Sequence, residues 1–103
     1  MIKSELIDNI AKKYPFLSNS VVEAAVNVII ESMIEELGAG GQVHIRGFGN
    51  FFILKREAIM GRNPKTGVAL LIRARHVVRF RTGKELKKRV DEYSNQYPIK
   101  KLL

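Results

Sequence analysis

The 103-residue sequence predicts an α+β fold. Three observations carry that expectation: an apolar stripe at helical spacing up to Leu37, a change to two-residue alternation after Gly41, and a glycine-bounded turn at Gly61 to Gly67 in a stretch with nothing obvious to pack against. The expected order is two helices, three strands with a long hairpin between the last two, and one helix, with the helices covering one side of a small antiparallel sheet. No linker, internal repeat or low-complexity stretch divides the chain, so residues 1–103 read as one domain.

Leu6, Ile7, Ile10, Ala11 and Tyr14 share one face at helical spacing over residues 3 to 14, and Pro15 stops the run. Ser20 followed by Glu23 reads as a capping box, in which a hydroxyl and a carboxylate satisfy the first free amides of the next helix. That helix carries Val22, Ala25, Val26, Ile29, Ile30, Met33, Ile34 and Leu37 as a continuous stripe, and Gly38, Gly40 and Gly41 end it. Val43 and Ile45 then alternate with Gln42, His44 and Arg46. After Gly47-Phe48-Gly49 a second extended run reaches about Arg56, so two antiparallel strands are expected.

Residues 58 to 72 have a turn at their middle and little polar contrast, which suits a protruding two-stranded ribbon; with its flanks the arm spans about 57–74. From Arg73 to Arg81, strand alternation puts Arg73, Arg75, Val77, Arg79 and Arg81 on one face, and Ala74, His76, Val78 and Phe80 on the other, which is expected to be buried. Thr82 and Glu85 read as a second capping box, opening a short helix with Leu86, Val90 and Tyr93 on its apolar side. Residues 94–103 read as a loose tail.

Charge is distributed by region. Between Arg46 and Arg89 there are 13 Lys and Arg against two acids, Glu57 and Glu85, whereas the 45 residues before them carry three bases and six acids; the whole chain is +8. Such one-sided positive charge points to a polyanion, nucleic acid before an acidic membrane surface or an acidic protein. The chain has no cysteine, which excludes disulfides and thiolate metal sites. No apolar run is long enough for a membrane span, and Lys3, Glu5 and Asp8 interrupt the start where a signal peptide needs an apolar stretch, so a cytoplasmic protein is expected. The only histidines are His44 and His76, there is no cysteine and no paired acids lie in the basic half, and no phosphate-cradling loop is present, so neither enzymatic activity, a cofactor, a metal nor a small-molecule substrate is expected.

The turn Gly61-Arg62-Asn63-Pro64-Lys65-Thr66-Gly67 concentrates the functional chemistry. Pro64 at a ribbon tip can act as an apolar wedge that enters a base step and kinks a duplex by roughly 20–90°; an Asn-Pro pair also simply starts turns. Arg62 and Lys65 flank it, where cations enter the minor groove or hold adjacent phosphates. Asn63 is either a donor to base edges, in a groove that separates mainly A·T from G·C, or a turn asparagine. Arg73, Arg75, Arg79 and Arg81 form a row suited to phosphates, since four cations with no intervening acid repel one another unless paired. Lys55, Arg56, Lys87 and Lys88 are further, less specific cations.

Four blocks in order carry a resemblance: Lys3-Ser4-Glu5-Leu6-Ile7, Ile45-Arg46-Gly47-Phe48-Gly49-Asn50-Phe51, the 61–67 turn, and Phe80-Arg81-Thr82-Gly83-Lys84-Glu85-Leu86. Over roughly residues 1 to 93 the chain resembles the HU and integration host factor family of bacterial DNA-bending proteins, closer in its start and in Arg46 to the integration host factor beta type. The resemblance implies an intertwined dimer with a helical base, a three-stranded sheet saddle and two ribbon arms reaching around double-stranded DNA in the minor groove, in the nucleoid. It also implies that Arg46 reaches the groove from the body, and that Lys3 and Lys84 contact flanking phosphates. The apolar stripe and Phe48, Phe51, Phe52 and Phe80 independently favour a dimer, with itself or with a related subunit, because a thin monomer covers them poorly.

The departures from the family are His44 where an acidic residue is frequent, Ile59-Met60 where Arg-Thr is usual, Val78 for a common proline, and Ile2 for the usual cap of the first helix. With Ile59 and Met60 the arm either packs more tightly in the groove or contacts a partner arm or protein. The expected function is architectural DNA binding with bending by proline wedges. The alternatives are RNA binding, disfavoured by RNA groove shape and by the lack of aromatics in the arm, and DNA coating without bending.

Overall fold

A computed structural model describes residues 1–100. It contains α1 (Lys3–Lys13), α2 (Asn19–Gly38), β1 (Val43–Ile45), β2 (Gly49–Arg56), β3 (Ile59–Arg62), β4 (Ala69–Ile72), β5 (Arg75–Thr82) and α3 (Lys84–Tyr93). Strands β1, β2 and β5 form one antiparallel sheet with β2 in the centre, and β3 and β4 form a separate antiparallel ribbon. This is the expected α+β architecture. Residues 94 to 97 form a turn beyond α3, closed by backbone bonds from Gln96 and Tyr97 to the Tyr93 carbonyl; the end of the expected tail, 101–103, lies outside the described residues.

The core is small. Ile7 of α1 meets Val22 and Val26 of α2, at 8%, 3% and 6% exposure, with Leu6, Ile10, Ala11 and Ile30 packed around them. The rest of the α2 stripe is covered only in part: Met33 and Leu37 are half-buried, but Ile29 and Ile34 are exposed, Ile29 by 60%, as is Val28 beside the stripe. On the sheet, Phe51 faces Phe80 and Ile53 faces Val78, and Phe48, Phe51 and Phe80 cluster with ring centroids 4.7–6.5 Å apart. That face was expected to be buried, yet Val78 and Phe80 remain 56% and 41% exposed. The reason is geometric: the C-terminal end of α2 meets only part of it, leaving an open cleft lined by Ile34, Leu37, Ile53, His76 and Val78.

The molecule measures 58 × 38 × 28 Å with a radius of gyration of 19.0 Å, against about 13 Å for a compact domain of 100 residues. Exposed apolar surface of this extent, on a chain this extended, marks an interaction face.

Both capping boxes are corrected. Helix α2 begins two residues earlier than the Ser20 reading: Ser18 is its N-cap, accepting from the Val21 amide at 3.3 Å, and Ser20 Oγ lies 3.1 Å from Ser18 Oγ. Ser18 wins because the chain leaves its extended conformation there, at φ −72°, ψ 155°. Thr82 remains in β5 opposite Gly49, and Gly83 is the N-cap of α3 without any side-chain cap. Here backbone replaces side chain: the Leu86 amide donates to the Gly47 carbonyl at 3.0 Å, and the Gly83 amide to the Phe48 carbonyl at 2.9 Å. The turn after β1 therefore anchors the start of α3, and Gly47, at φ +81°, supplies the left-handed residue that shapes it. Ile2 caps α1 with no side-chain hydrogen bond, in keeping with its apolar side chain.

Candidate nucleic-acid interface

Strand pairing decides which cations share a surface. In the β2–β5 register Arg56 faces Arg75, Leu54 faces Val77, Phe52 faces Arg79 and Asn50 faces Arg81. Residues directly opposite in an antiparallel pair lie on the same side of the sheet. Arg56, Arg75, Arg79 and Arg81 therefore occupy one face, and Phe51, Ile53, Val78 and Phe80 the other. At about 3.3 Å per residue, Arg79 and Arg81 stand roughly 7 Å apart along the strand and Arg75 roughly 13 Å from Arg79. Among the described residues the only ion pair is Lys55 to Glu57 at 3.8 Å, so no carboxylate neutralises the row. Those arginines are exposed.

Two neighbours shape this face. The Arg81 guanidinium carbon sits 5.3 Å from the centre of the Phe52 ring, a cation–π contact that restricts a long side chain before any ligand arrives. Asn50 donates from Nδ2 to Gln42 Oε1 at 3.0 Å, while its buried Oδ1 has no partner. Phe52 was legible only as apolar surface, because its place beneath Arg81 depends on a register that no local motif specifies.

The other expected site residues are distributed along the molecule. Arg73 lies between β4 and β5, outside both strands, where the ribbon joins the sheet. Arg46 lies in the turn after β1, at the end of the sheet where α3 begins, and Lys84 is the first residue of that helix. Lys3 opens α1 and donates to Asn27 Oδ1 at 2.8 Å, tying it to α2 in the helical base. Lys55 shares its sheet face with His76 rather than with the arginines, and pairs with Glu57. Lys87 and Lys88 are exposed on α3.

The ribbon begins beyond Arg56 and Arg75 and carries the turn at its far end. Its strands pair Ile59 with Ile72, Met60 with Leu71, Gly61 with Leu70 and Arg62 with Ala69. Asn63 holds the tip together: its Oδ1 accepts from the Lys65 amide at 2.8 Å and the Thr66 amide at 3.4 Å, and its carbonyl from Gly67 at 2.7 Å. Gly67 closes the turn at φ +72°. The Asn63 carboxamide oxygen is thus committed to the turn, as a turn asparagine would be. Pro64 and Lys65 follow it at the apex, both exposed, with Arg62 exposed just before. The arrangement is a cationic sheet face that continues into a free ribbon ending in an exposed proline.

Known proteins share this sequence and fold. Residues 1–91 match the family described as bacterial DNA-binding protein. The chain is 47% identical over 100 residues to the integration host factor subunit beta of Halorhodospira halophila, covering 97% of this chain and 98% of that protein. It is 48% identical over 96 residues to the corresponding subunit of Dichelobacter nodosus, covering 93% and 100%. Among solved structures it superposes on an Anabaena HU–DNA cocrystal structure with a TM-score of 0.79 at 36% identity, over 87% of this chain and 97% of that one. HU from Thermotoga maritima gives 0.62 at 31% identity, over 87% and 98%.

Proposed function

The chain belongs to the bacterial DNA-binding protein family, and from that membership we propose that it docks on duplex DNA through the arginine face of its sheet, lays its ribbon in the minor groove and kinks the duplex with Pro64. It is a histone-like architectural protein of the HU and integration host factor kind, not an enzyme. The observation that carries the bending mechanism is the continuity of Arg81, Arg79, Arg75 and Arg56 with a free ribbon whose apex is Pro64.

Binding starts electrostatically. Each phosphate contact by Arg56, Arg75, Arg79 or Arg81 releases condensed counterions, so affinity falls steeply with salt. Arg73 at the root of the ribbon, and Arg62 and Lys65 at its tip, extend the same contacts along the arm. Arg46 and Lys84 meet DNA at the opposite end of the sheet, and Lys3 from the base. Lys55 is the weakest member of the set, because the register places it away from the arginines. Bending costs about 1–6 kcal/mol by smooth elastic estimates. Insertion of Pro64 into a base step and the contacts that the bent duplex gains offset that cost, so flexible sites are preferred.

The functional unit is a heterodimer with a related alpha-type subunit. Its support is the beta-subunit identity of the relatives together with the uncovered apolar surface of α2 and of the sheet. A paired subunit supplies the missing cover and a second arm. No described helix is long and apolar enough to cross a membrane, and the site of action is the nucleoid, where duplex DNA is abundant.

Ligase-mediated ring closure of a DNA of about 100 base pairs tests bending directly, because that length is shorter than the persistence length of about 150 base pairs. The protein is expected to accelerate closure at low salt and to lose the effect as salt rises. Tight binding without acceleration would favour coating of DNA in place of bending.

A further inference from the structure

The ribbon is apolar on both faces although it pairs only within itself. On one face Ile72 Cδ1 lies over Gly61, where an added Cβ would come within 2.8 Å of it, so that side is partly filled from within. On the other face Met60 stands opposite Leu71, in line with Arg62 and Ala69. Met60 and Leu71 are 66% and 64% exposed. Two-stranded ribbons are marginal in water on their own, and an exposed apolar strip of this kind calls for cover.

Charge indicates what provides the cover. Cations stand at both ends of the strip, Arg62 and Lys65 at the tip and Arg56, Arg73 and Arg75 at the root, with none between. A DNA minor groove has the complementary layout, with anionic phosphate rims above walls formed by deoxyribose carbons. A second ribbon does not, because it would bring like charges together at the ends of the strip.

We infer that the Met60–Leu71 pair is an apolar strip that seats against the deoxyribose wall of the minor groove and makes the arm selective for DNA over duplexes containing ribose. The inference rests on the DNA-binding reading of the function and deepens it. In an RNA duplex the minor groove displays 2′-hydroxyls. Pressed against Met60 and Leu71, those hydroxyls lose water and gain no hydrogen bond, which penalises the complex. The deoxyribose carbon at the same position buries apolar surface with no such loss.

The test is anisotropy titration of a labelled DNA duplex, and of an RNA duplex of the same sequence, over a range of salt. The proteins are the full chain, the double variant Met60→Thr/Leu71→Thr and Met60→Leu. Threonine keeps strand propensity while removing the apolar strip. Its cost on DNA is about tenfold in affinity, the scale of partly losing two buried apolar side chains. The double variant is expected to bind DNA that much more weakly with an unchanged salt slope, and to bind RNA no more weakly than the unaltered chain does, so that the DNA-to-RNA ratio contracts. Met60→Leu is expected to behave as the unaltered chain, and circular dichroism melting to be the same for all three. Undiminished DNA binding by the double variant, or equal losses on both duplexes, would overturn the inference. So would self-association of the DNA-free chain, read by sedimentation, that disappears in the double variant. Failure of the unaltered chain to bind DNA removes the underlying reading instead, and the two failures are thereby told apart.

Discussion

In the helical base Ile7, Val22 and Val26 are buried against one another, while a few residues along the same helix Val28, Ile29 and Ile34 face outward. In the ribbon no side chain is fully buried, and Met60, Val68 and Leu71 face outward beside Arg62 and Lys65. Both regions expose apolar surface, but the company it keeps differs. Around α2 the exposed aliphatic positions continue onto an aromatic sheet face, the setting of a protein interface. Along the ribbon they are bracketed by cations, the setting of a nucleic-acid groove. Exposure alone would have assigned the two regions the same partner; charge separates them.

The sharpest break is to place a charge in each. Val26→Asp buries an unpaired carboxylate in the Ile7–Val22–Val26 core, and is expected to destabilise the chain by about 3–5 kcal/mol or to prevent folding, read by chemical denaturation. The matching change in the ribbon, Leu71→Asp, leaves the unfolding free energy within about 0.5 kcal/mol of the original and acts on DNA binding. An equal loss of stability at both positions would erase the distinction between the regions.

A less severe change tests the exposed part of the base. Ile29→Glu is expected to weaken subunit pairing by about 2 kcal/mol or more, the scale of a buried interface anchor, and sedimentation should show monomers. A duplex-binding defect without any change in assembly would mean that this face is not the subunit interface.

Next in size are the arginines of the sheet. Arg79→Ala and Arg81→Ala should each lower the salt slope of DNA binding by about one and weaken binding uniformly across sequences. Arg81→Ala also empties the face of Phe52. Lys55→Ala, on the opposite sheet face, is expected to lower the slope by well under one. The smallest effect is at the helix start, where Ser18→Ala should cost about 1 kcal/mol of stability with no change in DNA affinity per folded molecule.

Much of this organisation is readable in the amino-acid sequence. The switch from helical to alternating period located α2 and β1, and the glycine-bounded turn located the ribbon, because period and turn chemistry are local properties. Features set by distant contacts were not readable. Ser20 with Glu23 is the better cap in sequence, yet the chain path makes Ser18 the cap. The start of α3 is satisfied by the Gly47 carbonyl, 39 residues upstream of Leu86, which no capping motif announces. Lys55 looked equivalent to Arg56 until the pairing with His76 and Arg75 put the two on opposite faces. Val78 and Phe80 looked buried because alternation identifies an apolar face without saying which chain covers it.

In the proposed mechanism the ribbon bends DNA by inserting Pro64. Energy transfer between dyes at the two ends of a duplex of about 35 base pairs, a length suited to a bent site, tests it most directly when the unaltered chain is compared with Pro64→Ala. The unaltered chain is expected to shorten the end-to-end distance, and Pro64→Ala to bind still through the arginine face while the shortening is largely lost. Equal shortening by both proteins would contradict the wedge and leave the bend to the arginine face alone.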